Sequence, residues 1–340
     1  MTTTLYVGTD ADNGGAGLHS LCLSSAGVWQ PGNVYPKARN VSFAASSNKY
    51  GLHYLVDERH AGTVGVFRIG TAGPELLARR FTHGAEPTYV ALNPSEDRLA
   101  VANYGSGSIA VFHLDQASGV PLGEPFICTH SGCGPVKDRQ DGPHAHCVRF
   151  DNDGKWLYHV DLGTDEILAY KASPGPPELH RVAFFAPRGS GPRHLVFHPT
   201  LALALLVSEL VSTLTVLEVG DGVLTEMCRC STLPVGFDGT SIAGHLALDR
   251  SGTRIYVTNR GHDSVAVFGW GGGDRPELLQ HVPSGGASPR AFVMLETERQ
   301  FILAHEQSGT VTAFDLLPDG TLGPPRQTLS VPGAVFVFRG

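Results

Sequence analysis

The chain of 340 residues is long enough for two ordinary domains or one large all-β domain, and 41% hydrophobic with 17% charged residues suits a full core, not a disordered chain. Its 42 Gly and 23 Pro against 3 Met demand frequent turns, which favours many short strands over long helices. A net charge of −7 excludes a general nucleic-acid binder, whose affinity comes from a basic surface, and no run of about 18 apolar residues marks a membrane span.

The opening MTTTLYVGTD has neither a basic stretch nor an apolar leader, so the expected compartment is the cytoplasm. LYVGT, GLHSLCLS and VWQPGNVY then read as three strands of a truncated unit. From Asn40 onward one pattern recurs: a short apolar strand, a polar turn, a second strand ending in a polar residue, a short loop and a third strand. The copies begin at NVSFAASS, PTYVALNP, HAHCVRFD, PRHLVFHP, AGHLALDR and PRAFVMLE. The polar residue closing each second strand is taken as Glu58, Asn103, Asp161, Glu209, Asn259 and His305, at intervals of 45 to 58 residues. That period, with four strands per unit, is propeller spacing. LALALLVSEL passes for a helix on composition, but the repeat makes it a second strand. The C-terminal PGAVFVFR supplies the strand that the truncated unit lacks. The expected fold is therefore all-β: a seven-bladed propeller of four-stranded antiparallel blades, one domain over 1–340, closed by pairing of the N- and C-terminal strands so that no edge is left open.

Adjacent strands of a blade are antiparallel, so the start of each first strand lies beside the end of each second strand. The first-strand starts carry Thr88, His146, Arg193, Gly244 and Arg290. The second-strand ends carry Glu58-Arg59, Asn103-Tyr104, Asp161, Glu209, Asn259-Arg260 and His305-Glu306. This gathers Arg, Glu and His on one rim, expected to be solvated, where a purely structural repeat has Thr, Ser or apolar residues. In DRQDGPHAHCVRF (138–150) the two-residue period of a strand turns His144 and His146 to one side. Each residue has a plainer role open to it: His146 as a buried structural histidine, Arg193 and Arg290 as carbonyl caps between blades, Glu209 as the partner of either arginine. Asp153, Asp249 and Asp319 sit in turns and suit side-chain bonds to backbone; His198, Trp156 and Trp270 read as structural. A zinc site from Cys128, Cys133, His144, His146 and Cys147 fits no ordinary finger spacing, so no metal and no cofactor are expected, and the six cysteines read as free thiols. There is no G-x-S-x-G elbow and no P-loop.

YVGT, ANYGSGSIAVF, DRQDGPHAHCVRFDNDGKWLYHVDLGTDEILAY, GPRHLVFHP followed by SEL, and VTNRGHDSVAVF together resemble the lactonase family of seven-bladed propellers, over essentially the whole chain. That family includes propeller-type 6-phosphogluconolactonases and fungal carboxy-cis,cis-muconate cyclases. RQDGPHAH and GPRH are the most specific parts. The resemblance implies pocket residues His146 (in P-H-x-H), Arg193 (G-P-R-H), Glu209 (the following E-L) and Arg260 (N-R-G-H). FHPTLALALLVSEL departs from the family by lacking a D-G turn, and LETERQFILAHEQ is irregular.

The expected function is hydrolysis of a sugar lactone. Arg193 or Arg260 would stabilise the developing oxyanion. His146 or Glu209 would activate water, and a remaining arginine would hold a phosphate or carboxylate. His144, Arg290, Glu306, Glu58 and Asn103 are the expected substrate-binding residues. The expected partner is a small lactone or anionic sugar acid, with no nucleic acid and no membrane. Two other readings stay open. A muconate-type lactonising cycloisomerase would use the arginines on carboxylates and move a proton without water attack. A non-catalytic binding propeller would show exposed apolar surface and no use for Glu209.

Overall fold

The computed structural model describes residues 3–172, 175–273 and 275–340, and every regular element among them is a strand. The strands form seven four-stranded antiparallel sheets, each a meander of neighbours in chain order with one exception. In that one, the C-terminal strand Ala334–Arg339 pairs with Thr4–Thr9, followed by Leu18–Leu23 and Trp29–Tyr35. The expected blades and their closure by the two chain ends are therefore present. We number this sheet blade I; blades II to VII span 44–81, 87–129, 145–185, 192–231, 242–283 and 289–330.

The chain divides into two compact units. Residues 43–229 hold blades II to IV and nearly all of V; residues up to 42 and from 230 hold I, VI and VII. Within each blade the inner strands are buried on both faces. All six residues of Arg98–Asn103, Trp156–Asp161 and Gln300–His305 are buried. A strand covered on both faces reads as a continuous apolar run rather than an alternation, which is why LALLVS, the strand Leu203–Ser208, looks helical by composition. The fourth strands are the exposed ones; Phe185 closes its strand 68% exposed. Trp156 and Trp270 are packed at 3% exposure each. Among the turn aspartates, Asp249 accepts from Thr253 N and Arg254 N, and Asp319 from Thr321 N. In blade IV it is Asp151 that accepts, from Trp156 N.

Two details of register position the site. First, the last second-strand residues in register with the third strands are Asp57, Asn103, Asp161, Ser208, Asn259 and His305. Side chains here staple the blade to the connection that enters it. Asn103 donates to Thr82 O and Ser108 Oγ, Asn259 donates to Thr232 O and Ser264 Oγ, and His305 Nε2 lies 2.9 Å from Ser284 O. Asp161 Oδ1 accepts from the backbone of His144, Gly163 and Thr164. One residue further lie Glu58, Tyr104, Leu162, Glu209, Arg260 and Glu306. The expected alignment merged these two positions, because both accept polar residues: Glu58 and Glu209 belong one step beyond Asn103, Asp161, Asn259 and His305. Ladder partners separate what composition does not.

Second, the first strands begin with a β-bulge. The ladder shifts between Pro87 and Tyr89, Ala145 and Cys147, Pro192 and His194, Ala243 and Leu246, and Pro289 and Ala291. The extra residue is Thr88, His146, Arg193, Gly244 with His245, and Arg290 in turn. A bulge leaves a residue out of the ladder and re-aims its side chain. These are the residues that the repeat singles out at the first-strand starts.

Candidate active site

Within the unit 43–229, blade V brings two of its residues together. Glu209 follows the strand Leu203–Ser208, and its backbone N donates to Gly191 O at 2.7 Å. Its carboxylate is 2% exposed. Arg193, the bulged residue of the same blade, donates from Nε to Glu209 Oε2 at 2.7 Å. A second guanidinium, Arg139, donates from Nη2 to Glu209 Oε1 at 2.5 Å. His146, the bulged residue of blade IV, stands with Nε2 3.9 Å from Glu209 Oε2. One buried carboxylate is thus held between two arginines with an imidazole at its edge.

The surroundings fix these groups. Arg193 Nη1 lies 2.8 Å from His194 Nε2. A guanidinium only donates, so the ring nitrogen is the accepting side of this contact. The His194 ring meets Phe43, Tyr89 and His146 edge-on, and Phe43 stacks on Tyr89 at 3.9 Å between centroids. Tyr104 stacks on His144 at 4.5 Å, meets His146 edge-on at 5.5 Å, and accepts from Arg139 Nη2 at 3.5 Å. Burial works against the charge of Arg139, but Glu209 and Tyr104 outweigh it and push the guanidinium pKa up, so it stays a cation. Arg139 reaches the cluster from the loop between Thr129 and Ala145, which folds back on itself: Arg139 N and Gln140 N donate to Val136 O, and Gly134 N to Gln140 O.

His146, Arg193 and Glu209 are therefore together, but not solvated: they are 7%, 4% and 2% exposed. His144 lies just before the strand, its Nδ1 3.1 Å from Tyr104 O and its Nε2 3.1 Å from Asp141 Oδ1. Asn103 is fully buried inside its own sheet. Glu58 follows Asp57, whose carboxylate pairs with Arg59 and Arg79. Arg260, Arg290 and Glu306 lie in the other unit: Arg290 Nη1 donates to Glu306 Oε1, Ser288 Oγ to Glu306 Oε2 at 3.3 Å, and Arg260 Nη2 to Ala243 O at 3.1 Å. Burial raises the Glu306 pKa, but Arg290, Arg260 and Ser288 together hold it below the usual carboxylate range.

Sequence reasoning put Tyr104 on the rim without choosing it as a site residue, and did not select Arg139 or His194. Arg139 and His194 are inside RQDGPHAH and GPRH, and Tyr104 occupies the same step past the second strand as Glu209. That shared step was the available signal.

Among the described residues, no three His, Cys, Asp or Glu are placed to hold a metal ion. Burial pushes the Cys128 and Cys147 thiols up to about 11, which makes both poor thiolate ligands. A cavity of about 630 Å³ lined by Asp151, Trp156, Thr200 and Asp221 lies at the other ends of the blade IV and V strands and contains none of the cluster.

Seven four-stranded blades define a β-propeller, and blades IV and V bring a buried carboxylate, two arginines and histidines together at their strand ends. The family described as seven-bladed beta-propeller lactonases matches residues 4–338, and the chain belongs to it. It is 30% identical to the 6-phosphogluconolactonase of Bacillus subtilis (strain 168), over 98% of this chain and 97% of that one. Among solved structures, the periplasmic gluconolactonase of Pseudomonas aeruginosa superposes with a TM-score of 0.91 at 25% identity, covering 100% of this chain and 99% of that chain. A protein from Lactobacillus plantarum does so at 0.90 and 27%, with the same coverage.

Proposed function

We propose that this protein is a lactonase that hydrolyses a sugar lactone, with the phosphorylated lactone named for its Bacillus relative as the first substrate to try. The observation that carries the reading is the Glu209 carboxylate, buried between Arg193 and Arg139 with His146 at 3.9 Å. A carboxylate neutralised by two guanidinium groups is a weak base, so the proton falls to His146, whose imidazole suits transfer near neutral pH. The attacking water adds to the lactone carbonyl and gives its proton to His146; Glu209 steadies the imidazolium. The carbonyl electrons move to oxygen, where a guanidinium stabilises the oxyanion. Arg139, the most exposed of the cluster at 35%, is placed for this or for a substrate anion. Collapse breaks the ring C–O bond, and His146 returns its proton to the leaving alkoxide, yielding the open hydroxy acid.

The test is continuous titration of acid release from phosphorylated lactones, plain sugar lactones and muconates with purified protein. Turnover of a sugar lactone is expected. Failure on every lactone, or cyclisation of a muconate instead, would overturn the reading.

A further inference from the structure

Gln140 and Asp165 lie outside the cluster just described, and nothing in the chemistry above uses them. Asp165 ends the loop between Trp156–Asp161 and Glu166–Lys171. It is 2% exposed, yet its carboxylate meets only neutral donors: Gln140 Nε2 and Gly191 N at 2.8 Å on Oδ1, and Gly189 N at 2.6 Å on Oδ2. Gln140, fully buried, also donates to Leu162 O at 2.8 Å, and its Oε1 accepts from Val136 N.

The turn does not require this carboxylate. The same four-residue loop closes blades III, V and VII with Gly107, Ser212 and Gly309 at the last position, at φ of 60°, 48° and 58°; in blade VI Asp263 takes that position and its carboxylate accepts from Gly261 N and Ser288 N. Glycine makes that left-handed turn without strain, whereas a non-glycine residue is disfavoured there. A buried carboxyl group is costlier still unless it is hydrogen-bonded.

What these bonds join is informative. Gln140 adjoins Arg139. Gly191 holds Glu209 through its carbonyl and Asp165 through its N–H, and it lies two residues before Arg193. The Asp165 carboxylate therefore ties the loop bearing Arg139 to the segment bearing Arg193 and anchoring Glu209. The seat is close: a Cβ on Gly163 would stand 1.9 Å from Gly142 O.

We infer that Asp165 and Gln140 are positioning residues, a latch that sets the two guanidinium groups on Glu209. The inference rests on the lactonase reading for its kinetic consequence, not for its structural one. The test uses Asp165→Gly, which keeps the turn as Gly107 and Gly309 do, and Gln140→Met, which keeps volume and removes the amide. Hydrogen exchange of residues 132–142 and 188–192 should quicken in both, with the melting transition still cooperative. Lactone turnover should fall by roughly tenfold to a hundredfold, the usual consequence of displacing a catalytic group by about 1 Å, with KM changed less than about twofold. Combined with Arg139→Ala, Asp165→Gly should cost little more than Arg139→Ala alone, because both act through one contact. Unchanged exchange, parental turnover, or fully multiplicative losses would each overturn the latch. If the parent opens no lactone, the functional reading fails while exchange alone judges the latch.

Discussion

Replacing Glu209 with Ala removes the carboxylate that Arg193 and Arg139 share. The Arg139 side chain is 35% exposed and can turn toward water, so its loss of partner contributes little. The Arg193 side chain is 5% exposed and cannot. Its Nη1 keeps His194 as a contact, but the buried carboxylate that its Nε pairs with is gone. Breaking a buried pair on one side costs about 3–5 kcal/mol. At about 2 °C per kcal/mol for a chain of this size, the melting temperature should fall by roughly 6–10 °C. This differs from the tolerance expected of a solvated rim. Glu209→Gln retains an acceptor of the same shape and should melt between parent and Ala variant. The double variant Arg193→Met, Glu209→Leu leaves neither charge of that pair and should melt above Glu209→Ala. All three should lose roughly a hundredfold or more in lactone turnover, measured well below melting. A Glu209→Ala protein melting within a degree of the parent, or a double variant less stable than it, would refute the buried-pair argument; parental turnover would remove Glu209 from the site.

Deleting residues 333–340 removes the strand that pairs with Thr4–Thr9 and the buried Val335 and Val337, and should yield insoluble protein or a non-cooperative melt; a truncated chain that melts like the parent would refute the closure. Chelators should leave turnover unchanged, and stoichiometric zinc whose removal abolishes activity would return the Cys128–Cys147 segment to consideration. Burial lowers the His305 pKa below 6.5, so the folded chain keeps it neutral while the unfolded chain takes a proton; its stability contribution is present above pH 6.5 and is lost as pH falls below it. His305→Asn, copying the staple at Asn103 and Asn259, should shrink the drop in melting temperature between pH 7.5 and 5.5; equal drops in both proteins would refute this.

The blades were legible because each strand is short, apolar and bounded by turn residues, and because the repeat places even LALLVS, where composition misleads. The bulges were not. An extra residue at 146 or 193 changes ladder partners without changing composition. Nor was the step between Asn103 and Tyr104 visible, since only the hydrogen-bonded ladder shows that the first faces into the blade. His146, Arg193 and Glu209 emerged from sequence because their charge is unusual for a propeller strand end. Arg139 did not, because it lies in a loop outside the repeat, and a repeat reports only residues that share its register.

The two backbone slots explain why one fold position carries different chemistry from blade to blade. A bulged residue is excused from the ladder, and the residue one step past the second strand is excused from the staple, so neither identity is dictated by folding. In blade V the slots hold Arg193 and Glu209, and in blade VII Arg290 and Glu306, paired at the same sequence separation of 16. The pairs nonetheless differ. Glu306 has a side-chain exposure of 21%, against 2% for Glu209. What encloses the blade V pair comes from blade IV and its entry loop: His146 from the bulge, Arg139 from the loop, and the Asp165 carboxylate holding loop and strand together. Enclosure lowers the local dielectric and strengthens every charge interaction inside it. The same ion pair is thus partly open in one blade and enclosed in another, and the difference lies in a loop that the repeat does not contain.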